Sequence, residues 1–115
     1  MTTITNYWIS RTAASRGTTI AIGYTIDNGT GRTERVMLGA SIKPASVLTW
    51  GRSISDPFHD VVATVPPGVT THVRYFTLAD GLHPGKYDVA WGLRNAANGA
   101  PVALVSAPLS LRVTR

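Results

Sequence analysis

The chain has 115 residues, a formal net charge of +5 and no cysteine. This length predicts a single domain over residues 1–115, and the lack of cysteine excludes disulfides, zinc–thiolate sites and thiol nucleophiles. Hydrophobic residues make up 43% and charged residues 15% of the chain, which indicates a folded domain and argues against a disordered one. The apolar runs are too short to span a bilayer, so no membrane insertion is expected.

The positive charge comes mainly from arginines that are spaced singly along the chain. Nucleic-acid binding requires such charge to be clustered on one face. The scattered pattern instead predicts solvated arginines on strand faces and in loops, so nucleic acid is not an expected partner. Contact with an acidic protein surface is the alternative.

The N-terminal stretch, residues 1–8, lacks the basic start and the apolar block of a signal peptide. We therefore expect a protein that stays in the cytoplasm or is incorporated into a particle. A cell-surface location is expected only if the chain is part of a longer protein.

Turn signals recur at intervals of about ten residues, and the runs between them are β-like. Ile4–Ile9 is the first short predicted strand, and Trp8 shares a face there with Ile4. In Thr18–Ile26, apolar residues alternate with small or polar ones, which is typical of a half-buried strand. The dipeptide Asn28-Gly29 follows and predicts a hairpin, because both residues tolerate positive φ.

Glu34–Ile42 repeats the alternation and is predicted as a strand. A helix is the competing interpretation, but Gly39 would weaken it by about 1 kcal/mol. Val47–Trp50 is predicted as a short edge strand, and Gly51–Phe58 as a polar loop.

Phe58–Val65 is the next predicted strand, and it ends at a Pro-Pro-Gly turn. Pro67 presets φ at the first central position and Gly68 supplies positive φ at the second, as a type II turn requires. In the predicted strand Val69–Leu78, the apolar residues are odd-numbered up to Tyr75 and even-numbered after it. A bulge near Tyr75 would let both sets face inward.

A Pro-Gly turn precedes a strand in which Tyr87, Val89, Trp91 and Leu93 fall on one face. A tyrosine just after such a turn pins the corner between the two sheets of many β-sandwiches. Residues 95–101 form the last predicted hairpin loop, and the final strand is interrupted at Ala107-Pro108.

Seven or eight short antiparallel strands in a chain of this length predict an all-β fold. The predicted architecture is a two-sheet antiparallel immunoglobulin-like sandwich with Greek-key connections. The segments VPPGVTTHV (65–73) and LHPGKYDV (82–89) resemble bacterial immunoglobulin-like domains of the CARDB cell-adhesion type, and they are similar at this level to fibronectin type III domains. The resemblance covers Thr18–Arg94. It implies a sandwich fold and an adhesion role.

The one cluster of potentially reactive side chains is Asp56-Pro57-Phe58-His59-Asp60. Two carboxylates and an imidazole are able to ligate a cation, or to activate a nearby serine. In an extended strand, however, His59 and Asp60 point to opposite faces. A polar loop explains the cluster better, so no catalytic, metal or cofactor site is predicted and the chain is not expected to be an enzyme.

Four residues are the candidates for an interaction surface: Trp8, Trp50, Arg52 and Phe58. Partly exposed tryptophan and arginine dominate the energetics of protein interfaces, and flat aromatic faces also serve as sugar platforms. The alternative is that the two tryptophans only cap the ends of the core.

These features predict a non-enzymatic structural or assembly module. It would dock on a larger protein assembly, for example as a capsid decoration protein or a filament subunit, through edge strands, loops or apolar termini. The partner is another protein or a second copy of the chain. The alternative is a cell-surface adhesion or carbohydrate-binding module of CARDB type that uses Trp50 or Trp8 as its platform.

Overall fold

A computed structural model describes the backbone of residues 1–115 and every side chain except that of Leu109. The strands are β1 (Thr2–Ile9), β2 (Ala13–Ser15), β3 (Thr19–Asn28), β4 (Glu34–Pro44), β5 (Ile54–Ser55), β6 (Val61–Val65), β7 (Gly68–Thr77), β8 (Gly85–Asn95) and β9 (Pro101–Thr114). Two short 3-10 helices lie at Trp50–Arg52 and Pro57–His59. No helix in the described part of the chain has the length and apolar composition to cross a membrane.

The strands form two sheets, one of three strands in the order β1-β3-β7 and one of six. The larger sheet has the order β2-β9-β8-β4-β5, and β6 also pairs with β4. All pairs are antiparallel except β2 with β9. The predicted all-β, two-sheet architecture is therefore confirmed, but with nine strands rather than seven or eight.

The core lies between the two sheets and is built from the alternating rows of β3, β4 and β8. The buried members of these rows are Ile20, Ile22, Tyr24, Ile26, Val36, Leu38, Ala40, Ile42, Tyr87, Val89, Trp91 and Leu93. The period of two puts every second side chain on the inner face of its sheet, so the sequence pattern alone predicted these rows.

The corner before β8 is fastened by Tyr87. Its buried hydroxyl donates a hydrogen bond of 2.7 Å to the carbonyl oxygen of His83. Burial raises the pKa of the Tyr87 hydroxyl, so it keeps its donor proton at neutral pH. Gly85 takes a φ of +147° beside it, a conformation that side chains disfavour.

Replacing Tyr87 with phenylalanine should lower the free energy of unfolding by about 1–1.5 kcal/mol, because the carbonyl of His83 loses its buried donor. Tyr75→Phe is the matched control, since Tyr75 is 55% exposed, and we expect little change from it. Urea denaturation at pH 7 measures both. Equal losses for the two variants would contradict the role of the corner.

The predicted hairpin at Asn28-Gly29 is wrong, because β3 and β4 belong to different sheets. Asn28 is 2% exposed, and both the nitrogen and the oxygen of its side-chain amide are hydrogen-bonded. Its Nδ2 donates to the carbonyls of Arg32 (2.7 Å) and Val65 (3.0 Å), and its Oδ1 accepts from the backbone N–H and the hydroxyl of Thr30. Asn28 therefore organises a crossover between the sheets.

The predicted edge strand at Val47–Trp50 is also wrong. The segment forms a turn that leads into the first 3-10 helix. The ammonium of Lys43 holds it in place. This buried group donates to the carbonyl of Val47 (2.6 Å), pairs with Asp88 and lies 5.3 Å from the centre of the Trp50 ring.

β7 contains no bulge, in contrast to the prediction. It pairs with β3 in one unbroken register from Thr77 to Gly68. Phe76 is buried on the inner face, and the period of two then sends the odd-numbered residues outward. His72 was predicted to face solvent but belongs to the inner row. It is half-buried, and desolvation lowers the pKa of its imidazole.

β9 runs through the predicted interruption at Ala107-Pro108. A register shift between the pairs Tyr87–Leu111 and Val89–Ala107 absorbs the extra residues. The proline thus lies at a bulge, as prolines in strands commonly do.

Candidate functional site

The polar cluster at residues 56–60 is held by contacts within the chain. The carboxylate of Asp56 accepts a hydrogen bond from the backbone N–H of Thr77 (2.8 Å) and lies 2.6 Å from Nδ1 of His59. Burial acts to raise the pKa of Asp56, but these hydrogen bonds and the charges of His59 and Arg74 outweigh it and lower the pKa. Asp56 therefore serves as an ionised anchor for this segment.

Arg74 fastens the same segment from the inside. Its side chain is fully buried and pairs with the carboxylate of Asp60. The guanidinium also donates to the carbonyls of Leu38 (3.1 Å), Asp56 (2.8 Å) and Tyr75 (3.0 Å). The prediction that the arginines are all solvated is wrong for Arg74, because these acceptors replace water around its charge.

Hydrogen bonds and ion pairs already engage the side chains of the cluster. Among the described residues, no group of three or more His, Asp or Glu side chains is placed to hold a metal ion. His59 and Asp60 turn to different partners, although they lie at the end of a 3-10 helix and not in the extended strand that the sequence predicted.

A shallow groove of about 450 Å³ lies on the outer face of the six-stranded sheet. Its floor includes Gly39 and Gly92, which pair across β4 and β8. No buried side-chain nitrogen or oxygen atom of the described residues lacks a hydrogen-bond partner. The groove is also lined by Ser41, Ser53 and Ser55, so its surface includes polar side chains.

The four predicted interaction residues do not form one surface. Trp50 and Arg52 share the first 3-10 helix, where Trp50 is half-buried and Arg52 is exposed. Phe58 lies on the second 3-10 helix and is 89% exposed. Trp8 lies on the three-stranded sheet, on β1.

Trp8 lies on the outer face of its sheet, opposite to the face that Ile4 occupies. A bulge between Ile4 and Asn6 reverses the predicted alternation. Trp8 pairs with Gly23 on β3, and a Cβ atom on Gly23 would overlap the indole ring. The nearest ring atoms, Cε2, Cζ2 and Cδ2, lie at nearly equal distances from that position, so the ring covers Gly23 face-on. The opposite face of the indole points away from the sheet.

Exposed apolar side chains of β7 continue this outer face. Val73 pairs with Gly23, next to Trp8, and Tyr75 lies one row further along. Val69, Val73 and Tyr75 are 63%, 45% and 55% exposed. Sequence reasoning missed this surface because it assigned these residues to the core. Contiguous exposed apolar residues of this kind commonly mark interaction sites.

β7 also has a free edge, since β3 is its only partner strand in the described chain. The N–H of Thr77 donates to Asp56, and the carbonyl of Tyr75 accepts from Arg74. Both groups therefore point away from β3. Backbone groups alternate in direction along an antiparallel strand, so all odd-numbered residues of β7 point to this edge.

The middle of the edge is open for pairing. The N–H and C=O groups of Val69, Thr71 and Val73, and the N–H of Tyr75, point outward by the same alternation. No hydrogen bond between described residues occupies them. A run of such groups is a template for an added strand.

The other sheet edges are blunted. β1 contains the bulge near Asn6, and its Trp8 carbonyl accepts from Nε1 of Trp91 (3.3 Å). β9 carries Pro101 and Pro108, and β2 has only three residues. β5 and β6 are short and are separated by a 3-10 helix. Bulges, prolines and short strands are the usual protections of a free edge. β7 has none of them along its ten residues.

No family model matches the chain, and no curated protein matches it either. Solved structures match it in fold. The alkylpurine DNA glycosylase AlkC of Pseudomonas fluorescens, bound to DNA containing an abasic site analog, has 11% identity and a TM-score of 0.64 over 99% of this chain. The β-glucosidase EmGH1 of Erythrobacter marinus has 12% identity and a TM-score of 0.65 over 99% of this chain.

The sporulation control protein Spo0M of Bacillus subtilis has 15% identity and a TM-score of 0.55 over 99% of this chain. The chain spans only 30% of AlkC, 15% of EmGH1 and 49% of Spo0M. At such identities the likeness concerns the fold, and it covers a part of each of these proteins.

Proposed function

We propose that the chain is a non-enzymatic interaction module that docks on a protein partner by strand addition along the free edge of β7. The partner contributes an extended segment, for example an arm of a larger protein assembly. Main-chain hydrogen bonds supply affinity in this mode, and side chains on the two faces supply specificity.

We further infer that the fold is an immunoglobulin-like Greek-key sandwich. The strand order supports this, because β1, β3 and β7 form one sheet while β2, β9, β8 and β4 form the other. The hydrogen bond from Tyr87 to His83 also supports it, because it resembles the tyrosine corner of such domains.

The observation that carries the docking proposal is the contrast between β7 and the other edges. Arg74 does not protect β7 as an inward-pointing charge would, because it is already buried and paired with Asp60. An unprotected apolar edge is an aggregation hazard unless it has a partner. The exposed Val69, Val73 and Tyr75 add apolar contacts beside that edge.

A peptide library displayed on phage tests this proposal. We expect selected peptides to be extended and rich in β-branched residues, and to shift the amide NMR signals of Val69, Thr71 and Val73. Thr71→Pro removes one edge N–H and leaves the bonds to β3 intact, since proline is tolerated on the free side of an edge strand. It should weaken these peptides about tenfold or more, the equivalent of about 1.4 kcal/mol.

Thr71→Ala is the matched control, because it changes the side chain and retains the N–H. Peptides that bind Thr71→Pro as tightly as Thr71→Ala, or that shift signals elsewhere, would refute docking at β7. Circular dichroism and thermal unfolding establish that both variants are folded.

A carbohydrate-binding function is the second candidate, and the position of Trp8 favours it. The indole covers Gly23 and presents its other face outward, with Tyr75 on the same surface. Exposed aromatic faces suit the apolar side of a sugar ring. Neutral glycans are the expected class, because Asp27 is the one charged residue in the outward rows of this sheet.

A glycan array followed by fluorescence titration distinguishes this candidate. We expect Trp8→Ala to abolish any glycan response, while Trp50→Ala, in the first 3-10 helix, preserves it. An absent response in the wild-type protein would remove the carbohydrate candidate and leave docking at β7 unaffected.

A further inference from the structure

We propose that the partner of the β7 edge is a second copy of this chain. Two β7 strands pair antiparallel about a two-fold axis at Thr71 and join two three-stranded sheets into one of six strands. This inference rests on the docking function proposed above and names its partner.

Pairing about Thr71 satisfies the open edge. Thr71 lies opposite Thr71 of the second copy, and Val69 lies opposite Val73 of the second copy. These residues all present N–H and C=O groups to the edge, so each pair exchanges two hydrogen bonds. A two-fold interface has to be self-complementary in this way.

The ends of the paired region fit the same register. Tyr75 then lies opposite Pro67 of the second copy. The carbonyl of Tyr75 already accepts from Arg74, and Pro67 has no N–H to offer. The carbonyl of Tyr75, which is already hydrogen-bonded, therefore faces Pro67, which has no N–H to donate. This pair leaves no hydrogen bond unmade.

The exposure of Phe58 is explained by the same arrangement. Phe58 lies on the 3-10 helix that precedes β6, beside Asp56, which holds the Thr77 end of β7. In the dimer this end faces the exposed Pro66-Pro67 turn of the second copy. Phe58, which is 89% exposed in the single chain, acquires an apolar contact there.

Charge does not oppose the contact. The outward residues of β7 from Val69 to Thr77 are uncharged, so no like charges meet across the axis. The net charge of +5 on each copy acts only at longer range, where salt screens it beyond about 8 Å at physiological ionic strength. Dimerisation should therefore strengthen as salt is raised, whereas binding to an acidic partner would weaken.

The proposed dimer contact is small, so we expect it to be weak. One strand pair flanked by Phe58 buries less than the roughly 1,200–2,000 Å² of a standard stable interface. We expect a dissociation constant between about 10 µM and 1 mM, so the dimer forms at high local concentration.

Sedimentation equilibrium over this concentration range tests the proposal on the whole chain. The wild-type protein and Thr71→Ala should form dimers, and Thr71→Pro should remain monomeric. Thr71→Lys and Thr71→Glu should each weaken the dimer at least about tenfold, because the axis places each charge opposite itself. A 1:1 mixture of these two should restore it as a heterodimer.

The restoration is specific to this register, since only a residue on the axis meets its own copy. Wild-type protein that stays monomeric at about 1 mM would overturn the inference, as would a dimer that survives Thr71→Pro, or charge variants that fail to complement. Peptide selection at β7 would still support the docking function if dimerisation failed, so the two proposals fail separately.

Discussion

Replacing Asp60 with alanine is expected to lower the free energy of unfolding by about 2–4 kcal/mol. The change leaves the guanidinium of Arg74 buried without its carboxylate. A buried charge that loses its partner costs far more than an exposed pair is worth. The estimate lies toward the lower part of the range for buried pairs because Asp60 is 32% exposed, so water reaches one side of the pair.

Two further variants separate the charge from the packing. Arg74→Met removes the buried charge and keeps an unbranched apolar chain of similar length. The double variant Asp60→Ala/Arg74→Met should therefore be more stable than Asp60→Ala alone. Urea denaturation at pH 7 gives these energies, with exposed Asp80→Ala as the surface control. A loss for Asp60→Ala no greater than that for Asp80→Ala would contradict the structural role of the pair.

The same pair links stability to the candidate site. Arg74 lies on β7, and its guanidinium occupies the carbonyl of Tyr75 at the free edge. Asp60→Ala should loosen both the segment at residues 56–60 and this end of the edge. Hydrogen exchange of the Thr77 amide, which Asp56 protects, reports the loosening directly.

The core of the sandwich was predictable because its signal is local. Ile20, Ile22, Tyr24 and Ile26 follow the period of two, and β8 repeats it after the corner. Tyr87 could be recognised for the same reason, since its partner His83 is only four residues away. When a sheet has one buried face, a local alternation of this kind predicts which side chains are buried.

The orientation of β7 was not predictable in this way. Val69, Val73 and Tyr75 are more apolar than His72 and Arg74, yet they are the exposed row. Arg74 is buried because its acceptors come from Asp60 and from carbonyls elsewhere in the fold. These partners are distant in the sequence, so nothing near Arg74 predicts them. The hydrophobic pattern therefore predicted the wrong buried face for β7.

The candidate site depended on the same non-local features. Trp8 and Phe58 were among the predicted interaction residues, but no sequence pattern connected either of them with β7. The bulge before Asn6 sets the face of Trp8, and the pairing of β7 with β3 sets which of its groups are free. Both are properties of strand pairing, and one misplaced residue in the register reverses them.

Replacing Asn28 with alanine is expected to lower the free energy of unfolding by about 2–3 kcal/mol, a large effect for a residue that the sequence predicted in a hairpin turn. The substitution leaves the carbonyl of the buried Val65 without its donor and also removes the acceptor of the exposed Thr30 N–H. Each buried polar group left unpaired costs about 1–3 kcal/mol. Urea denaturation at pH 7 measures the loss.

Asn98→Ala is the matched control, because Asn98 lies in a true hairpin loop, where its exposed side chain accepts only from the N–H of Ala100. We expect a loss of less than about 1 kcal/mol there. Equal losses at both positions would contradict a crossover organised by Asn28.

The variant Asn28→Asp adds a pH dependence of known sign. A carboxylate would retain the contact with Thr30 but would face the carbonyls of Arg32 and Val65 with no proton to donate. Its pKa in the folded state would be raised, so this variant should gain stability relative to wild type as the pH falls below that pKa. This gain in stability is expected only if residue 28 has to donate hydrogen bonds inside a buried crossover. In a solvent-exposed hairpin turn, water would replace those donors and no gain would follow.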